Sequence, residues 1–255
     1  MLVAQRWQKI IQLVNERGSI RVTELSVICE VTEETIRRDL DKLENEGKLL
    51  RSHGGAISMK SAQAETPYME RETTNADEKR RIAQEAVMQV YENDRIILDA
   101  SSSAWYMAQL LPDMPLTVLT NSIKVAMELS GKEKIKVIST GGLLSSRSLS
   151  YVGPLAERSL STYHVDKAFL SCKGLHMQRG LSEFNELQAL VKQKMISIAD
   201  EVYILADYSK FGQQSLAHVA SWDEIRHLIT DEKTDSAIVA QLKELSVTVH
   251  QIEVR

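Results

Sequence analysis

Apolar positions in the first 57 residues recur at helical spacing, in short runs separated by tight joints. Leu2, Arg6, Ile10, Leu13 and Val14 mark one face of a first helix, which Gly18 closes. Thr23 opens a second, shorter helix through Leu25 and Ile28, with Glu24 near its positive end. After a three-residue joint ending near Val31, Thr32 is placed to cap a third helix running to about Glu46, and Gly47 stops it. Lys48–Leu50 and Ala56–Ile57 then read as two short strands around the turn Ser52-His53-Gly54-Gly55.

Residues 58–76 are polar, contain Pro67 and show no sustained apolar period, so they are expected to link two domains, 1–57 and 77–255. Beyond them the period changes. Apolar runs of strand length at 95–99, 116–120, 135–139, 165–171 and 202–207 alternate with amphipathic segments at 78–90, 103–111, 122–129 and 184–199. The segments 226–230, 235–244 and 246–252 continue that alternation. Strands alternating with helices predict an α/β domain with a mostly parallel sheet covered on both faces.

Three helices followed by a hairpin describe a winged helix-turn-helix. In its third helix Ile36, Leu40 and Leu43 form the buried stripe, which leaves Thr35, Arg37 and Arg38 on the face open to a groove. Arginine can bond guanine through two parallel contacts and threonine can reach a base edge or a thymine methyl. Thr32, Thr35, Arg37 and Arg38, with Lys48, Arg51 and His53 on the wing, are the candidate DNA contacts. Charge alone does not make this case, because residues 1–57 hold nine basic and nine acidic side chains and the whole chain carries −4. Glu33 and Glu34 also stand four residues before Arg37 and Arg38, the orientation that favours pairing along the helix.

In an open parallel sheet, ligands bind outside the carboxyl ends of the strands. Those ends are rich in small, polar and cationic residues: Asp99, Ser101, Ser102 and Ser103; Thr120, Asn121 and Ser122; Thr140, Gly141 and Gly142; Lys173; and Lys210 within Asp207–Gly212. Hydroxyls and backbone N–H groups at a helix start can hold a phosphate, Asp99 can accept the hydroxyls of a polyol, and Lys173 or Lys210 can neutralise an anion.

The remaining composition narrows the choices. Two distant cysteines, Cys29 and Cys172, suit reduced thiols in a cytoplasmic protein. Gln5, Arg6, Gln8, Lys9 and Gln12 break every apolar run that a signal peptide needs, and no stretch is long enough to span a bilayer, so no membrane partner is expected. The six histidines are scattered without ligand spacing, so no metal and no cofactor are expected. No G-x-S-x-G motif supplies a nucleophile. The alternative to a DNA-binding regulator is a sugar-phosphate isomerase with Asp99, Glu186 or Lys210 as base, which would leave the helix-turn-helix without a purpose.

Arg6, Ile10 and Val14, then Glu34-Thr35-Ile36-Arg37-Arg38-Asp39-Leu40, Leu43, Gly47, Arg51 and His53-Gly54-Gly55-Ala56 resemble the DeoR-family helix-turn-helix signature. Asp99–Ser103, Thr120–Ser122, Thr140–Gly142 and Asp207–Gly212 are similar to that family's sensor domain, so the likeness spans nearly the whole chain. It implies a transcriptional repressor, acting as a homo-oligomer on double-stranded operator DNA. It also implies a ribose-5-phosphate isomerase-like sensor that takes a phosphorylated sugar. Asp99-Ala100-Ser101-Ser102, Trp105-Tyr106 and Phe169-Leu170-Ser171-Cys172 resemble the branch governing rhamnose and fucose use, which implies L-rhamnulose 1-phosphate or a related ketose 1-phosphate as effector. Lys173 departs from the family, where a small or uncharged residue is usual, so its role is not carried over.

Overall fold

The computed structural model describes residues 3–17, 19–52, 54–58 and 65–252. His53, Gly18 and the 59–64 portion of the expected linker lie outside the described residues. The chain divides into two compact units, Met1–Thr66 and Pro67–Arg255.

In the first unit, α1 (Val3–Arg17), α2 (Val22–Cys29) and α3 (Glu33–Asn45) precede a wing of β2 (Leu49–Ser52) and β3 (Gly55–Ser58). Ile10, Val14, Leu25, Ile36, Leu40, Leu43, Leu49 and Ala56 form one core. Three residues join α2 to α3: Glu30 turns the chain with φ +55, and Thr32 Oγ1 accepts from Thr35 N at 3.3 Å to cap α3. A strand absent from the sequence reading, β1 (Ser19–Arg21), pairs with β3 and completes a three-stranded antiparallel sheet ordered β1-β3-β2. Its pairing explains Gly55, because a Cβ there would collide with the Ile20 carbonyl oxygen.

The second unit is built on seven strands: β4 (Arg95–Leu98), β5 (Leu116–Thr120), β6 (Ile135–Ser139), β9 (Val165–Leu170), β12 (Ala199–Leu205), β14 (His227–Thr230) and β15 (Thr248–Gln251). All neighbours pair in parallel, in the order β15-β14-β12-β9-β4-β5-β6. Alternate residues serve opposite faces. Ile97, Ala168, Leu170, Val202 and Ile204 join one core with Ala156 of α8 (Pro154–Leu160) and Val191 of α9 (Glu186–Ser197). Ile96, Leu98, Phe169, Tyr203 and Leu205 join the other with α5 (Ala76–Val87), α6 (Ser102–Leu110) and α7 (Ile123–Leu129). Burial on both faces is why these strands read as unbroken apolar runs.

The strand order reverses between β4 and β9, which makes that gap the switch point of the sheet. Two small antiparallel additions escape the sequence reading: the hairpin β7 (Leu143–Ser145) with β8 (Ser150–Val152), and the sheet β10 (Gly174–His176), β11 (Gly180–Glu183) and β13 (Ala217–Ala220). Tyr68–Thr73, inside the stretch expected as linker, forms a one-and-a-half-turn helix, α4. A final helix, α10 (Ser236–Glu244), precedes β15. No helix among the described residues is long and apolar enough to cross a membrane.

Candidate functional site

On the first unit, α3 presents its charged face outward while one charge turns in. Asp39 sits in the buried stripe, where it accepts from Arg6 Nε at 2.6 Å and from Trp7 Nε1 at 2.7 Å. Hydrogen bonding to Asp39 raises the Arg6 pKa, so the guanidinium keeps its charge and the ion pair fastens α1 to α3. Asp39 thus orients an arginine and does not face a groove. Arg37 and Arg38, with side chains 48% and 76% exposed, lean on Glu33 at 2.7 Å and Glu34 at 3.3 Å. These surface pairs are weak and screened by salt, so a phosphate or a base edge competes for either arginine. Thr32 and Thr35 share a hydroxyl hydrogen bond at 2.9 Å at the start of the helix, the end that commonly reaches bases. Lys48 is exposed. Arg51 is tied to α3 instead of standing free on the wing, bonding Asp41 and, at 3.3 Å, the Arg37 carbonyl. His53 lies outside the described residues.

On the second unit, the carboxyl ends of the parallel strands bring the sensor candidates to one edge. At the switch point Asp99, 1% exposed, accepts from Ser101 N and Ser171 N, each at 3.0 Å, which joins the ends of β4 and β9. Its remaining charge meets Lys192 Nζ at 2.9 Å, and Lys192 also reaches Glu183 at 2.7 Å and the Ser171 carbonyl. Burial alone would lower the Lys192 pKa, but the charges of Asp99 and Glu183 and the bonds they accept outweigh it and raise it. The ammonium is therefore a fixed, fully paired cation beneath the mouth.

Ser101 caps α6 by accepting from Ala104 N at 3.0 Å, while Ser102 donates to the Arg71 carbonyl at 3.2 Å and Ser103 is buried. At the end of β5, Thr120 Oγ1 accepts from Ser122 N at 3.0 Å and Ser122 Oγ caps α7. Asn121 donates to the Tyr151 carbonyl at 3.0 Å, and its own side-chain oxygen is buried with no hydrogen-bond partner among the described residues. Thr140, Gly141 and Gly142 follow the edge strand β6, and Gly142 takes φ +119, with room for no Cβ beside the Val152 carbonyl. Three strands separate β6 from β12, so these strand ends lie about 19 Å apart at ~4.8 Å per strand.

Lys210, half-buried after β12, faces other cations. Burial lowers the pKa of Lys79 to about 8, and the positive charges of Lys210 and Arg71 push the same way. Burial, then Lys210 and Arg71, also lower that of Lys173. Asp207 offsets part of this charge: although burial opposes ionisation, Lys210, Ser209, Lys79 and Asn75 hold its carboxyl below the usual range. Cations gathered this way disfavour one another's charged forms. Cys172, by contrast, is an inert buried thiol, its pKa pushed up to about 12 by burial.

Sequence reasoning missed Lys192, Glu183, Lys79 and Tyr68. A signal existed for two of them. Lys79 stands in register with Ile82, Ala83 and Ala86, and Lys192 with Ala189, Met195 and Ile196, so each occupies the apolar stripe of its helix. A lysine at such a position must find partners.

Comparison with known proteins agrees with this division. Residues 6–62 match the DeoR-like helix-turn-helix domain and residues 74–232 the DeoR C terminal sensor domain. The chain is 57% identical to the HTH-type transcriptional regulator YulB of Bacillus subtilis (strain 168), over 98% of this chain and 96% of that one. It is 42% identical to an L-fucose operon activator of Haemophilus influenzae, over 89% and 91% of the two chains. It is 35% identical to the HTH-type transcriptional repressor GlcR of Bacillus subtilis (strain 168), over 93% and 92%. A ribose 5-phosphate isomerase structure from Methanocaldococcus jannaschii is similar over 54% of this chain and 55% of that one, with 21% identity and a TM-score of 0.41, too loose a likeness to bear on activity. With a winged helix at one end, a parallel-sheet sensor at the other and both family domains matched, the chain belongs to the DeoR family of sugar-responsive transcriptional regulators.

Proposed function

We propose that this regulator represses a sugar-catabolism operon from the cytoplasm and leaves its operator when a phosphorylated sugar fills the mouth of the sensor sheet. The observation that carries the sensor half is the switch point. There a buried, ion-paired Asp99–Lys192–Glu183 network supports the start of α6, and Lys79, Lys173 and Lys210 add positive charge that Asp207 offsets in part. Ser101–Ser103 would seat the phosphate at the helix start, Lys173 and Lys210 would balance it, and Thr120–Ser122 would meet sugar hydroxyls. The resemblance to regulators of deoxyhexose use, and a relative named for the L-fucose operon, favour a ketose 1-phosphate, with L-rhamnulose 1-phosphate first.

On the DNA side, Thr35, Arg37 and Arg38 would read or hold the major groove, with Thr32, Lys48, Arg51 and His53 on phosphates. Two copies in a homo-oligomer would bind half-sites about 34–36 Å apart or a multiple of that. The effector acts by preferring a form whose helices no longer fit the operator, since only differential affinity shifts an equilibrium. No chemistry on the sugar is part of this reading.

The relatives named L-fucose operon activators favour a second reading, in which the occupied protein promotes transcription. Both are tested by calorimetric titration with a panel of ketose 1-phosphates and by a reporter fused to the neighbouring operon. Repression predicts expression that rises when the regulator is deleted. Expression that falls on deletion establishes activation, and turnover of a ketose phosphate by the pure protein would favour an isomerase instead.

A further inference from the structure

The first segment of the second unit lies across the mouth of its sheet. Tyr68 N donates to the Arg147 carbonyl at 2.8 Å, and Tyr106 Oη donates to the Glu72 carbonyl at 3.0 Å. Lys79 Nζ donates to the carbonyls of Arg71 at 2.6 Å and Thr74 at 2.7 Å, and Asn75 Nδ2 donates to Asp207 at 2.9 Å. With Ser102 bonded to the Arg71 carbonyl, α4 is pinned to the loops after β4 and β12 alike.

Tyr68 is the side chain that this segment drives inward. It is 1% exposed, and the Arg71 guanidinium and Lys124 ammonium lie 5.4 Å and 5.6 Å from its ring centre. Its hydroxyl is buried and has no hydrogen-bond partner among the described residues. A buried hydroxyl in that state is costly, and phenylalanine would fill the same space without the cost. Burial, then the charge of Glu72, with Asp99 also contributing, raises the phenol pKa, so the hydroxyl keeps its proton and remains a donor beside the switch point. Another such buried atom is Asn121 Oδ1 at the end of β5.

We propose that Tyr68 donates a hydrogen bond from this hydroxyl to the phosphorylated sugar at the mouth of β4, making α4 part of the effector site. The proposal rests on the effector reading above. α4 begins two residues after Thr66, where the first unit ends.

The test is calorimetric titration of L-rhamnulose 1-phosphate and D-fructose 1-phosphate into the full chain and into Tyr68→Phe, with the ligand-free melting midpoint of each. Loss of one neutral donor should weaken sugar-phosphate binding about tenfold, while the ligand-free midpoint stays level or rises. Equal affinities in the two proteins overturn the proposal. So does a ligand-free midpoint that falls in Tyr68→Phe, since the hydroxyl would then serve the fold. If neither sugar phosphate binds the unsubstituted chain, the effector reading itself fails, and Tyr68 falls with it.

Discussion

Replacing Lys192 with methionine keeps the length of the side chain and removes the cation from the switch point. Asp99 would keep its two backbone donors, Ser101 N and Ser171 N, but Glu183 and the Ser171 carbonyl would lose their lysine. Removing one partner of a buried ion pair costs about 3–5 kcal/mol. The retained donors on Asp99 and the 13% side-chain exposure of Glu183 place this case near the lower end, ~3 kcal/mol. For a unit of this size that lowers the melting midpoint by roughly 6–12 °C at about 2–4 °C per kcal/mol. The folded Lys192 pKa lies above the ordinary 10.5, so the pair's contribution is complete below that value and is lost only as pH rises through the folded pKa. Calorimetry at neutral pH therefore reads it in full. The double variant with Asp99→Asn should recover part of the loss, because the uncompensated charge goes with the carboxylate. A Lys192→Met midpoint within about 2 °C of the unsubstituted protein would correspond to ~1 kcal/mol or less and refute the network's structural role.

On the DNA side, Arg37→Ala or Arg38→Ala should weaken operator binding by about 1–3 kcal/mol where the arginine reads a base. Where it holds a phosphate, the loss should be uniform over sequences and the salt slope should fall by about one, as fluorescence anisotropy across salt concentrations would show. Lys173→Ala should reduce sugar-phosphate affinity in a calorimetric titration; unchanged affinity removes Lys173 from the site. Lys79 has a folded pKa of about 8 against an ordinary 10.5, so between those values the unfolded chain binds more protons and rising pH stabilises the fold. Cys172 acts in the opposite sense above 9, so the prediction concerns the difference from Lys79→Met, which should lose the stabilising slope in chemical denaturation from pH 8 upward.

The legible parts of this molecule were those written in local chemistry. Thr32 as cap, Gly47 beyond α3 and the apolar runs of β4, β5, β6, β9 and β12 follow from spacing and side-chain type alone. The polar strand ends were legible as candidates because a parallel sheet gives them a common edge. Long-range pairing was not. Ser19–Arg21 has one apolar residue, and its strand exists only because β3 lies beside it. The hairpin β7–β8 has strands of three residues, too short to show a period, and Gln188 pins it from a distant helix through Ser148 and Ser150 at 2.7 Å each. The positions of Asp39 and Lys192 were readable, but their partners were not, since only the fold delivers Arg6 to one and Asp99 to the other. The ends of β4 and β9 were each read one residue long: Asp99 and Ser171 leave the ladder as the Asp99 carboxylate takes the N–H groups of Ser101 and Ser171. α4 was hidden for another reason, as a six-residue helix after Pro67 resembles the polar stretch around it.

The proposed coupling runs within one chain, from an operator read by α3 to a ligand at the β4–β9 switch point. Its most direct test is anisotropy of fluorescent DNA from the protein's own upstream region, titrated with the full chain and then with ketose 1-phosphates. Coupling requires tight, salt-sensitive binding that one ketose 1-phosphate reverses and inorganic phosphate does not. DNA binding that no sugar phosphate alters, in protein shown by calorimetry to bind one, would contradict the coupling.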